Sequence, residues 1–147
     1  MSLITNKKAR FNYEITENYT AGIELFGYEV KSVRKGQGSL EGSYVTIRGN
    51  EAFLVNSFIP PFQEKNAPKD HDPRRLRKLL LTKKEIRELS TVEGTKGLTI
   101  VPISVYNKGR VLKIDLGIGK GKKKHDKRET LKKEDNLRET RREFSDR

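Results

Sequence analysis

The chain has no cysteine among its 147 residues. Neither a disulfide nor a thiolate-bound metal can therefore form. No stretch approaches the roughly 18 uncharged apolar residues that a membrane-spanning helix needs, and the N-terminus lacks the apolar core of a secretory signal. A disulfide-free chain without such a signal is expected in the cytoplasm. The signatures of common catalytic sites are missing too. There is no GxxxxGK[ST] phosphate loop, no GxSxG elbow and no HExxH zinc helix. The two histidines, His71 between Asp70 and Asp72, and His125 before Asp126, are too far apart in sequence to suggest a ligand set. Asp72 reads first as a helix cap. No catalytic residue, metal or cofactor is expected, and a nuclease using Asp70, His71 and Asp72 is the enzyme alternative.

What the chain does have is positive charge. Lys and Arg number 32 against 20 Asp and Glu, a net of +12. Solubility of a small domain calls for a magnitude of only about 2–8. The excess field attracts polyanions, and nucleic acid fits better than a membrane. The charge is uneven: from Lys120 onward 12 Lys and Arg face 7 Asp and Glu, with Leu131, Leu137 and Phe144 as the sizeable apolar groups. So little apolar surface cannot offset the entropy of ordering that segment. The expected organisation is a folded body over 1–120 and a basic tail over 121–147, disordered in isolation.

The body reads as mainly β with short α-helices. Phe11, Tyr13 and Ile15 alternate with polar residues, the period of a half-buried strand, and a second run follows over 21–26. Two hairpins are expected, one over 44–58 turning at Gly49-Asn50, the other over 98–118 turning at Asn107-Lys108-Gly109. In its second arm Leu112, Ile114, Leu116 and Ile118 share one face. Asp72-Pro73 predicts a helix start, with Leu76, Leu79 and Leu80 inward and Arg74, Arg75, Arg77 and Lys78 toward solvent. Thr82 and Glu85 form a capping box flanked by Leu81 and Ile86. A further helix over 28–35 stops at Gly36, with Lys31, Arg34 and Lys35 at helical spacing. Some six strands with intervening helices suggest a small barrel of the oligonucleotide-binding type.

Clustered cations on one short segment repel one another unless a polyanion neutralises them. This holds for 74–78, and more so for Lys120, Lys122, Lys123, Lys124, Lys127 and Arg128, where phosphates are the natural partner and binding is salt-dependent. His125 amid them is placed to stack on a base. Beyond, Glu129 with Lys133 and Glu134 with Arg138 are helix-favouring pairs, and Leu137 and Phe144 would share a face. Such a segment can fold on a partner.

Four blocks carry a resemblance: Asn6-Lys7-Lys8-Ala9-Arg10; Ala21-Gly22-Ile23 through Gly27 with Glu29-Val30-Lys31-Ser32; Asp72-Pro73 through Arg77-Lys78-Leu79-Leu80-Leu81; and Gly121-Lys122-Lys123 through His125-Asp126-Lys127-Arg128. In this order, with Ser43-Tyr44-Val45 between, the chain resembles the SsrA-binding protein family over nearly its whole length. The resemblance implies an oligonucleotide-binding-like barrel. It also implies binding to the tRNA-like part of transfer-messenger RNA and delivery of that RNA to the vacant decoding site of stalled ribosomes, a process called trans-translation. Asn6, Lys7, Arg10, Gly22, Glu29, Lys31, Arg34, Arg75, Arg77, Lys78 and Leu80 would serve the transfer-messenger RNA. Lys122, Lys123, Lys124, His125, Asp126, Lys127 and Arg128 would meet small-subunit ribosomal RNA, and the tail beyond would turn helical in the messenger channel. The protein is expected to act as a monomer. Where the family usually has an acidic residue before Ala-Gly, this chain has Thr20, so no contact of that carboxylate carries over; Gly42 likewise replaces the usual acidic residue before Ser43. A general basic ribosomal or RNA-chaperone protein is the competing binder.

Overall fold

The computed structural model describes residues 2–62, 69 and 71–122. Strand β1 (Ser2–Thr5) leads into the single turn α1 (Ala9–Asn12) and the long β2 (Tyr13–Ile23). Helix α2 (Gly27–Arg34) follows, then β3 (Tyr44–Arg48), β4 (Glu51–Val55), β5 (Arg77–Leu80), α3 (Lys83–Glu93), β6 (Leu98–Lys108) and β7 (Val111–Gly121). Every pairing is antiparallel. The order β6-β3-β4-β5-β2-β7 closes because β7 also pairs with β6, and β1 adds to the free end of β6. The result is a closed β-ring with short helices. Among the described residues, β1 is the strand that closure leaves with an open edge.

Local chemistry explains the hairpins. Gly49 and Asn50 take φ of +55° and +64°, the pair of left-handed residues that a two-residue turn between twisted strands requires. The β6–β7 hairpin turns at Gly109-Arg110, since Lys108 pairs with Val111. This lies a little beyond the expected turn. Leu112, Ile114, Leu116 and Ile118 of β7 all point into the core, as their alternation predicts. Leu54, Leu79, Ile100 and Val105 meet them there, and Val33 of α2 and Leu89 of α3 belong to the same cluster. The capping box of α3 is present, with Glu85 N donating to Thr82 Oγ1 at 3.2 Å and Thr82 N to Glu85 Oε1 at 3.0 Å.

Three expectations fail. Phe11 sits in α1, not in a strand, and β1 is a strand that no expectation covers. The run around Tyr13 and the run over 21–26 are not separate strands: β2 is unbroken from Tyr13 to Ile23 and its register shifts between Ile15 and Glu17. Such a bulge breaks the simple period of two. The segment opened by Asp72-Pro73 is not a helix. Asp72 does cap, since its Oδ1 accepts Arg74 N at 2.9 Å and its carbonyl accepts Arg75 N at 3.1 Å. A single turn satisfies those donors, and the chain then extends as β5 between β2 and β4. An Asp-Pro start suits a turn as well as a helix. Tertiary pairing decides.

Glycines near the end of β7 serve packing. A Cβ on Gly117 would lie 2.8 Å from Ile15 Cγ2, and one on Gly119 2.8 Å from Tyr13 Cβ. Their lack of a side chain lets β2 side chains lie flat on β7.

Candidate nucleic-acid interface

Arg77 is the largest correction. It does not face solvent; its side chain is wholly buried, and so is that of Glu29. Arg77 donates Nε and Nη2 to Glu29 Oε2 at 3.0 and 2.5 Å, Nη1 to Ser57 O and Oγ, and Nη2 to Pro73 O. Its donors are thus consumed inside the protein and none is left for a phosphate. The Glu29 carboxylate also accepts Arg75 Nε and Nη2 at 3.2 and 2.5 Å, and Phe26 N at 2.9 Å at the start of α2. Burial pushes the Glu29 carboxyl up, but Arg75, the Phe26 amide and Arg77 outweigh it and hold it below the usual carboxylate range. Glu29 therefore stays ionised and clamps α2 to the segment entering β5.

The clamp positions Arg75. Its guanidinium carbon lies 4.3 Å from the Phe26 ring centroid, a cation–π contact. Phe26 stacks on Tyr28 at 5.6 Å and remains 51% exposed. Leu76, Ile23, Leu25, Phe53 and Lys78 complete a shallow groove beside it. Lys78 pairs with Glu51 at 3.1 Å. Tyr28 hydroxyl bonds His71 Nδ1 at 3.0 Å, so His71 is engaged with a tyrosine; Asp70 lies outside the described residues. Among the described residues no three His, Asp or Glu gather as metal ligands would.

A second strip crosses three strands. Gly22 of β2 is opposite Leu80 of β5 on one side and Lys113 of β7 on the other. Leu80 lies over Gly22, with an added Cβ only 3.2 Å from Leu80 Cβ, and is itself half exposed. Beside it, Thr20 hydroxyl donates to Asp115 Oδ1 at 3.1 Å across the strand pair. Alternation alone marks Lys113 only as an outward residue; its register opposite Gly22 is what singles it out.

The remaining body residues divide. Asn6 is buried, with Nδ2 donating to Pro102 O at 3.0 Å and Leu40 O at 3.4 Å, and its amide to Ile103 O at 2.7 Å. It fastens the turn after β1 to β6. Lys7, Arg10, Lys31 and Arg34 are exposed. Of the tail cations, Lys122 is described, and it docks on α1: its amide donates to Asn12 O at 2.9 Å and Nζ to Arg10 O at 2.8 Å. The chain thus leaves β7 alongside α1. Lys123, Lys124, His125, Asp126, Lys127 and Arg128 lie outside the described residues, as do the tail charge pairs.

The model of the SmpB protein family matches residues 3–146 of this chain. The chain belongs to the SmpB family. It is 50% identical over 141 residues to the SsrA-binding protein of Gloeothece citriformis, covering 95% of this chain and 91% of that one. Identity to the SsrA-binding protein of Microcystis aeruginosa is 49% over 134 residues, covering 91% and 87%. A solved structure described as "tmRNA-SmpB: a journey to the center of the bacterial ribosome" superposes with a TM-score of 0.68 at 43% identity, over 86% of this chain and 92% of that one. The ring of strands described above is therefore the SmpB fold.

Proposed function

We propose that the protein is a non-enzymatic adaptor that binds the tRNA-like domain of tmRNA and delivers it to stalled ribosomes for trans-translation in the cytoplasm. The SmpB match from residue 3 to residue 146 carries this reading. It joins barrel and basic tail in one functional unit, which the net charge of +12 alone does not do.

The body holds tmRNA. Leu80 and Gly22 offer an apolar step for a base or ribose, while Lys7, Arg10, Lys31, Arg34, Arg75 and Lys78 supply charge. Arg77 and Glu29 act from inside by fixing Arg75, and Asn6 by fixing the N-terminal turn; none of the three needs to touch RNA. The tail from Lys122 to Arg128 engages small-subunit ribosomal RNA, with His125 stacking on a base. Its starting point beside α1 lets one molecule hold two RNAs. Thr20 takes no contact that a carboxylate would make.

Competition binding tests the reading. At physiological salt the full chain should prefer tmRNA over an unrelated RNA of equal length. Equal affinity for the two would overturn it.

A further inference from the structure

The C-terminal turn of α2 is fixed to the tip of the β6–β7 hairpin by an unusual bond. Arg34 Nη2 donates to the carbonyl of Arg110 at 2.8 Å. A cation here meets a residue that is itself cationic, and the acceptor is backbone, not an acid. Lys31, Lys35, Lys108 and Arg110 share the neighbourhood and are all exposed. Among the described residues none of these five cations forms a salt bridge. Asp115, on β7 with the tip, is engaged by Thr20. Five like charges gathered without a counter-ion raise the free energy of the protein alone and lower it when a polyanion arrives.

The patch is continuous with the Leu80–Gly22–Lys113 strip. Lys113 faces Gly22, and Arg110 at the tip lies three residues before it in the chain, about 10 Å at roughly 3.4 Å per residue. We infer that the α2–hairpin corner is a phosphate-binding extension of the tmRNA face, with Arg34 as its preorganised centre. One edge of the Arg34 guanidinium is held by the Arg110 carbonyl, so its remaining N–H groups are aimed outward before RNA binds. That spares ordering entropy and favours a paired contact with phosphate oxygens. A lysine at this position would keep the charge but not the fork. The occupant is tmRNA, not ribosomal RNA, because the patch continues the tmRNA strip. The inference rests on the adaptor reading.

Two full-length variants test it, K108Q/R110Q and Arg34→Lys. The first retains the Arg110 carbonyl. It should bind the tRNA-like domain of tmRNA roughly five- to tenfold more weakly, and the slope of log K against log salt should drop by about 1.5 for two lost contacts. Arg34→Lys should weaken binding while leaving the slope near that of the parent. Affinity of both variants for ribosomes without tmRNA should not change. Parental tmRNA affinity in either variant overturns the inference, as does a loss confined to ribosome binding. If the unaltered protein fails to prefer tmRNA over unrelated RNA, the adaptor reading itself falls, a result visible before any variant is made.

Discussion

Replacing Glu29 with Gln should unfold the protein far more readily than any surface change. The carboxylate accepts five hydrogen bonds, one from Phe26 N and two from each of Arg75 and Arg77. A carboxamide has one oxygen, and its NH2 group would point a donor at guanidinium donors. Arg77 would remain wholly buried with its charge uncompensated. Removing one partner of a buried ion pair costs about 3–5 kcal/mol. At a denaturant slope near 2 kcal/mol per molar urea, the midpoint should fall by roughly 2 M with little change in slope. Arg75→Gln should cost less, about 1.5 kcal/mol, because the Arg75 side chain is 25% exposed and water can replace part of what it gave. The pH dependence gives an independent reading. The Glu29 carboxyl is held below its ordinary value in the folded state. Its contribution is therefore complete above the unfolded carboxylate pKa of about 4.3 and is lost as pH falls through the folded value. The stability of Glu29→Gln in urea melts should accordingly vary less with pH than that of the parent across that acid range. A loss below 1 kcal/mol, or a larger loss for Arg75→Gln than for Glu29→Gln, would refute the keystone role.

Other outcomes follow from the same geometry. Arg77→Gln should reduce stability by several kcal/mol while the salt slope of RNA binding stays near that of the parent; Lys31→Gln should do the reverse, lowering the slope by about 0.7–0.9 with the melt unchanged. Leu80→Ala, at a half-exposed site, should shift stability by no more than about 0.5 kcal/mol and yet weaken tmRNA binding in a filter assay. Gly119→Ala would press a methyl group onto Tyr13 and should destabilise the barrel by about 1–3 kcal/mol in thermal melts.

The features legible in the sequence are those written in neighbouring residues. Gly49-Asn50 announces its turn by the φ values it permits, Thr82 and Glu85 their cap by spacing, and Leu112 to Ile118 their buried face by alternation. The basic character of the protein is likewise plain from composition. What could not be read depends on partners far along the chain. Arg77 looks like its neighbours Arg74, Arg75 and Lys78 until Glu29, 48 residues away, draws it into the interior. β5 looks helical because Leu76, Leu79 and Leu80 fall at helical spacing, and only pairing with β2 and β4 makes it a strand. The groove beside Phe26 and the corner between α2 and the hairpin tip join segments distant in sequence, so no local pattern marks either. Asn6 reads as an RNA contact in the sequence, whereas in the fold it binds the protein's own carbonyls.

Peptide tagging in a reconstituted system of stalled ribosomes and tmRNA tests the central claim, comparing the full chain with one ending at Gly121. The account predicts that the shortened chain keeps most of its tmRNA affinity, because the strands and helices described end there, and that it supports no tagging. Tagging at the full-length rate without the tail, or tmRNA binding lost together with tagging, would contradict the division between a body that holds tmRNA and a tail that acts on the ribosome.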